Sequence, residues 1–225
     1  TIYFRDEYGE DCYPQKLYNH IYDSIISPHF KENCKDKKLL DVGSGRGNHL
    51  VGFSRNGLNC YGLDLRPQDV SSFTIKKCDI ETDPFPYDSN TFDVVYSKSV
   101  IEHVLNTDNF VKEIYRVLKP GGIAIIMCPD WGSQYKHYWD DYTHVKAWTR
   151  KSLQNCMRIH TFKSVNCKFM RQLPLLWKYP QLNFLSDLTD LFTTQSMKWK
   201  DDKEEHFNEW VRFSKEKMLL ATGTK

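Results

Sequence analysis

Three acids and three glycines stand where a bound cofactor could be gripped. Asp41 sits two residues ahead of Gly43, Gly45 and Gly47 in the stretch Leu39 to Leu50, LLDVGSGRGNHL. Glycines at such a turn accept positive φ and let a ligand approach the backbone. The spacing is G-x-G-x-G, with Asn48 where a dinucleotide fingerprint needs its third glycine, and no G-K-[ST] of a P-loop is present. A carboxylate at Asp41 would repel a pyrophosphate and suits a cation. Asp64 follows roughly twenty residues later, the spacing at which an acid takes ribose hydroxyls. Asp79, after the next apolar run, is placed for an adenine amino group. The set describes a phosphate-free, cationic, adenosine-bearing ligand.

A second group could handle protons. His103 lies in SVIEHV, and Asp140, Asp141 and His144 lie in YWDDYTHVKAWT. An imidazole exchanges protons near neutral pH, so His103 or His144, with Asp141, could serve as a general base. A purely structural, hydrogen-bonded role is the alternative. No metal is expected, because oxygen-rich metal sites usually need more ligands than this one loop offers. Trp131, Tyr135, Tyr138, Trp139, Tyr142 and Trp148 crowd the same segment. Aromatic faces alternating with Asp, His and Lys suit a sugar ring, with Trp131, Tyr138, Asp140 and Trp148 as candidate contacts. The alternative is that half of these aromatics form the core of a lid.

The elements that must position these groups alternate. Helical spacing runs from about Tyr13 to Phe30, on Leu17, Ile21 and Ile25, and the charged link KENCKDKK follows. KLLDVGS predicts a first strand, GNHLVGFSRNG a helix closed at Gly57, NCYGLDL a second strand and FTIKKCDI a third ending at Asp79. TFDVVYSKS predicts a fourth strand, TDNFVKEIYRVLKPGG a helix ended by Pro-Gly-Gly, and IAIIMCP a fifth strand. Strands alternating with helices require a parallel sheet with right-handed crossovers. After Pro129 come the long aromatic loop, a helix TRKSLQNCMRI with Thr149 as N-cap, and a strand FKSVNCKFMRQL. Residues 173–205 read as an insertion, and WVRFSKEKMLLATGTK as the closing strand.

Composition narrows the class. With 225 residues the chain can bury a real core. A net charge of +2 argues against a protein that coats nucleic acid or anionic membrane. No apolar run is long enough to span a bilayer, and the charged, aromatic N-terminus is no signal peptide. The missing initial Met suits a processed chain or a domain of a longer polypeptide. Seven scattered cysteines without a C-x-x-C pair predict reduced core thiols in a cytoplasmic protein.

The ordered segments LLDVGSGRGN, YGLDL, CDIETDPFPYDSNTFDVVYSKSVIEHV and EIYRVLKPGGIAIIMCP resemble the class I S-adenosylmethionine-dependent methyltransferases. The resemblance implies an α/β fold: a doubly wound, Rossmann-like seven-stranded sheet, mostly parallel with an antiparallel last strand, and helices on both faces. It implies one domain over 1–225, with a helical cap at 1–37, a cofactor half at 38–129 and an acceptor half at 130–225. It further implies S-adenosylmethionine as cofactor and S-adenosylhomocysteine as product. On that basis Asp41, Gly43, Ser44 and Gly45 face the methionine part, with Ser97 at its end. Asp64 and Leu65 hold the ribose, and Asp79 and Ile80 lie by the adenine.

The segments PDWGSQYKHYWDDYTHVKAWTRKSL and RFSKEKMLLAT look similar to a subgroup associated with polysaccharide and glycan synthesis. This implies O-methylation of a sugar or glycan hydroxyl, alone or alongside a glycosyltransferase. A small-molecule O- or N-methyltransferase acting on a metabolite, lipid or quinone-type acceptor is the alternative. A cofactor-binding module without turnover is another. A nucleic-acid acceptor is disfavoured by the balanced charge and by SKSV where an Asp-Pro-Pro-Tyr-type motif would stand.

Overall fold

The computed structural model describes residues 15–31, 34–67, 72–171, 173–184 and 217–225. A helical segment comes first: α1 (Gln15–Ile21), a π turn at Tyr22–Ile26, and α2 (Ser27–Phe30). The π turn ends at Ile26, separated by Ser27 from Pro28, whose missing N–H cannot continue the regular ladder, so the widened turn absorbs the mismatch. Then follow β1 (Lys38–Val42), α3 (Asn48–Ser54), β2 (Asn59–Asp64), β3 (Thr74–Lys77) and β4 (Phe92–Lys98). A 3₁₀ turn at Ile101–His103 leads to α4 (Thr107–Val117) and β5 (Leu118–Pro129). The chain continues with α5 (Trp131–Gln134), a 3₁₀ turn at Tyr138–Asp140, α6 (Arg150–Ile159), β6 (Lys163–Arg171), α7 (Pro174–Lys178) and β7 (Lys217–Thr224).

The seven strands form one sheet in the order β3-β2-β1-β4-β5-β7-β6. β1 to β5 pair in parallel, while β7 runs antiparallel to both β5 and β6. The sheet is the doubly wound, seven-stranded architecture expected from the sequence. Strand order reverses between β1 and β4, so a crevice opens beyond their carboxyl ends. Neighbouring residues point to opposite faces, and both faces are covered. Leu40, Val95 and Ile126 join Phe110, Ile114 and Leu219 on one side. Leu39, Val94 and Ile125 join Tyr18, Phe53 and Leu220 on the other. Burial on both faces explains why these strands are apolar throughout instead of alternating.

Some boundaries move. The third strand ends at Lys77, which leaves Asp79 in the following turn. The helix read through Pro-Gly-Gly stops at Val117, because Lys119 to Gly122 are drawn into the sheet. Gly121 N donates to Lys225 O, and Lys225 N donates to Gly122 O. The long aromatic loop contains α5 and a 3₁₀ turn. Thr149 caps α6 as read, in a reciprocal pair with Ser152. Of the insertion at 173–205 only residues 173–184 are described, and the final strand ahead of Lys217 lies outside the described residues. Six described cysteines are free thiols, four of them buried. Among the described residues no helix is long and apolar enough to cross a membrane.

Candidate active site

The glycine turn sits at the switch point. Asp41 is next to last in β1, in register with Gly62 of β2 and Tyr96 of β4. The chain then turns through Gly43, Gly45 and Gly47, all at positive φ (80°, 51° and 77°). Gly43 N and Ser44 N both donate to Leu63 O, at 2.8 and 2.9 Å, which fastens the turn to the end of β2. Asp64 completes the attachment: its Oδ2 accepts from Gly45 N and its Oδ1 from Arg66 N, each at 2.8 Å. A side chain on Gly43 would collide with Val100, whereas one on Gly45 would meet no protein atom within 4 Å. Gly45 thus borders open space of the kind a ligand fills.

Asp41 supplies the charge of this turn. It is fully buried, and neither carboxylate oxygen has a hydrogen-bond partner. His49 Nδ1 of α3 stands 3.6 Å from Asp41 Oδ2, beyond hydrogen-bond distance. Burial and then the nearby Asp64 push the Asp41 carboxyl up to about 8, with Lys98 pulling the other way. Burial and Lys98 push the His49 imidazole down to about 3, so it stays neutral and cannot serve as counter-ion. A buried carboxylate without partners is costly. A cationic ligand beside Asp41 removes that cost, and the residues therefore fit the adenosyl sulfonium expected from the sequence.

The proton-handling group assembles as a cluster. Ser99, at φ 56°, reverses the chain after β4 and aims the turn Ile101–His103 at the aromatic loop. Glu102 O accepts from Val145 N (2.9 Å) and Lys146 N (3.2 Å), which locks the loop onto this turn. His103 Nδ1 lies 3.1 Å from Thr143 O and 3.0 Å from Thr143 Oγ1. The Thr143 hydroxyl donates to Asp141 Oδ1 at 2.6 Å. Both atoms facing His103 Nδ1 are therefore acceptors, so Nδ1 carries the proton and Nε2 is the basic nitrogen. His144 Nδ1 donates to Tyr138 O at 2.6 Å, which fixes the same tautomer there. The two rings lie 4.9 Å apart, and Asp141 Oδ2 is 3.5 Å from His144 Nε2. Burial lowers the His103 pKa, against a raising contribution from Thr143, and keeps the ring neutral near pH 7.

The structure places His103, Asp141 and His144 side by side, and adds Glu102, which stands beside His103 in an apolar run and is not among the residues singled out from sequence. Glu102 is 1% exposed, and neither carboxylate oxygen has a hydrogen-bond partner. Burial pushes it up to about 8, opposed by a backbone N–H and by Lys98. Two candidate acceptor contacts need correction. Tyr138 is buried and its hydroxyl donates to Lys146 O, while buried Trp148 donates from Nε1 to Ile101 O. Both brace the loop from within and present no surface to an acceptor. Trp131 and Trp139 stay exposed, and exposed Asp140 pairs with His137 at 2.9 Å.

At the cofactor end, Ser97 is buried and donates to Val42 O at 2.8 Å, tying β4 to β1 beneath the turn. Asp79 Oδ1 accepts from Glu81 N, Ile80 is half-buried, and Leu65 is exposed beyond Asp64. A separate cavity of about 660 Å³ opens beyond β5 and β6, lined by Asp130, Thr149, Arg150, Arg171 and Lys217 among others. None of the candidate site residues lines it.

Residues 40–126 match the family model described as a methyltransferase domain. The chain is 30% identical over 105 residues to norajmaline N-methyltransferase of Rauvolfia serpentina, covering 41% of this chain and 36% of that protein. It is 32% identical over 120 residues to a ubiquinone biosynthesis O-methyltransferase of Pelagibacter ubique, covering 48% of this chain and 50% of that one. The chain thus matches half or less of the length of these curated relatives. In fold it is similar to a solved SAM-dependent methyltransferase from Archaeoglobus fulgidus, with TM-score 0.64, 19% identity, and coverage of 94% of this chain and 95% of that one. The family match runs from β1 to β5, through the glycine turn and the switch point, and together with the likeness in fold it supports a class I S-adenosylmethionine-dependent methyltransferase.

Proposed function

We propose that the chain transfers a methyl group from S-adenosylmethionine to a hydroxyl of a sugar or glycan. The observation that carries the methyltransferase part is Asp41, a buried carboxylate without partners at an open glycine turn. Asp41 and the backbone from Gly43 to Gly45 would hold the methionine part, Asp64 and Leu65 the ribose, and Asp79 and Ile80 the adenine. When bound, S-adenosylmethionine supplies an electrophilic methyl group on a sulfonium. This chain's residues would then hold the acceptor in line and receive its proton.

A hydroxyl acceptor is favoured by His103 and His144, two imidazoles held in the tautomer that leaves Nε2 basic. Asp141 orients the pair through Thr143 and by facing His144. A sugar is favoured by the exposed aromatic faces of Trp131, Tyr135, Trp139 and Tyr142 along the acceptor loop, with polar Asp140 between them. The second reading is a small-molecule acceptor such as a quinol or an alkaloid amine, since relatives are named for such substrates.

Calorimetry with S-adenosylmethionine, followed by a labelled-methyl screen, tests the proposal. Cofactor binding with label on sugar nucleotides or oligosaccharides is the expected result. Label only on quinols or amines moves the chain to the second reading. Binding without transfer to any acceptor makes it a cofactor-holding module, and no binding sinks the enzyme reading altogether. His103→Ala and His144→Ala are each expected to keep cofactor affinity and to slow transfer by roughly 10²-fold or more. A variant with unchanged turnover removes that histidine from the mechanism.

A further inference from the structure

We propose that Glu102, His103 and His144 form a binding site for a divalent first-row transition metal ion at the acceptor end of the crevice. One ligating atom of each residue lies within 4.8 Å of the others, and His103 Nε2 is 4.0 Å from Glu102 Oε1. Two atoms bound about 2.0–2.2 Å from one ion stand roughly 3–4 Å apart. An ion would therefore draw these side chains together through small rotations, without moving backbone.

Three features set this cluster apart from a chance grouping of surface residues. Glu102 is 1% exposed with both carboxylate oxygens lacking a hydrogen-bond partner, a buried acid waiting for a positive neighbour. Each histidine donates Nδ1–H to a backbone carbonyl, Thr143 O for His103 and Tyr138 O for His144. That is the outer-shell arrangement that orients ligating imidazoles and leaves Nε2 to the ion. The scaffold is also fixed in advance, because Val145 N and Lys146 N both bond to Glu102 O. Asp141 Oδ2, 3.5 Å from His144 Nε2, is within reach as a fourth ligand.

Two imidazoles and a carboxylate form a mixed N/O set, which suits Zn²⁺, Co²⁺ or Mn²⁺ better than Ca²⁺ or Mg²⁺. The cluster adjoins the cofactor turn, since Val100, two residues before Glu102, packs against Gly43. With an ion in place the two Nε2 atoms would be its ligands and not the base. The ion would keep open positions, lower the pKa of a hydroxyl that occupies one, and let its proton leave to solvent. That consequence rests on the methyltransferase reading, whereas metal binding itself does not.

The test uses the full chain, stripped with chelator and titrated with Co²⁺ by visible absorption and with Zn²⁺ by calorimetry, without cofactor. One ion per chain is expected, with a rise in melting temperature. Glu102→Gln, His103→Gln and His144→Gln should each weaken binding by at least about tenfold. His137→Gln, which alters another histidine of the same loop, should leave it unchanged. The proposal is overturned if wild type binds neither ion, if the three variants bind as wild type does, or if His137→Gln loses the ion. Circular dichroism of each variant separates lost ligation from lost fold, and the glutamine replacements retain near-native volume. S-adenosylmethionine calorimetry on the stripped protein runs in parallel. Metal binding without cofactor binding refutes the methyltransferase reading alone, and the converse refutes the metal site alone.

Discussion

At Asp41 two demands conflict, and a ligand resolves them. The carboxylate must be buried to sit at the switch point, yet burial and Asp64 favour its protonated form, with Lys98 opposing and neutral His49 unable to help. The folded protein therefore holds a proton there that the unfolded chain releases near its ordinary value of 3.8. More protons in the native state mean stability that falls as pH rises, here from about pH 4 to about 8. Denaturant titrations of the ligand-free protein should show this fall, and Asp41→Asn should lack that share of the slope. A cationic ligand reverses the balance, so binding S-adenosylmethionine at pH 7 should release protons. Calorimetry in buffers of different ionisation enthalpy reads that release. Asp41→Asn should abolish it and weaken affinity by roughly 10- to 100-fold. Equal proton release in both proteins would place the charge elsewhere.

Among the elements, the turn between β1 and α3 works because its glycines meet different constraints. Gly43 faces Val100 and cannot carry a side chain without displacing the turn that leads to Glu102 and His103. Gly45, at φ 51°, has open space where a Cβ would lie. Gly45→Ala should therefore fold, at a cost of about 1 kcal/mol for the left-handed backbone, while the added methyl intrudes on the ligand. The expected outcome is a melting temperature lowered by a few degrees and cofactor affinity lowered tenfold or more. Undiminished affinity would mean that the ligand does not pass over Gly45.

On the scale of the whole molecule, the segment from α1 to α2 closes one face of the sheet. Leu17, Tyr18 and Ile21 are buried against Leu39, Phe53 and Tyr96. Tyr18 packs edge-on to Phe53, with ring centroids 5.2 Å apart, and lies over Gly52 of α3. A methyl at Gly52 would run into the Tyr18 ring, so Gly52→Ala should lift this helical segment and cost about 3 kcal/mol. Increased proteolysis within residues 15–31 would accompany the loss, while Gly57→Ala, where a Cβ meets only ordinary contacts, reports the left-handed strain alone. Equal stability of wild type and Gly52→Ala would show that the helix does not rest on α3.

The sequence by itself determined the sheet and the cofactor turn, because both are written in short contiguous stretches. Apolar runs fix the strands, glycine spacing fixes the turn, and Asp41 and Asp64 fall at strand ends whatever the remaining chain does. Tertiary structure alone decided the acceptor end. Glu102 is buried, and the loop that meets it, with Val145 N and Lys146 N bonding to its carbonyl, comes from more than forty residues on. Tyr138 and Trp148 read like rim aromatics, but their polar atoms reach Lys146 O and Ile101 O, which turns them into the loop's own core. An aromatic beside an acid has the same appearance in a sequence whether it faces solvent or packing. Only long-range contact, with the burial it brings, separates the two.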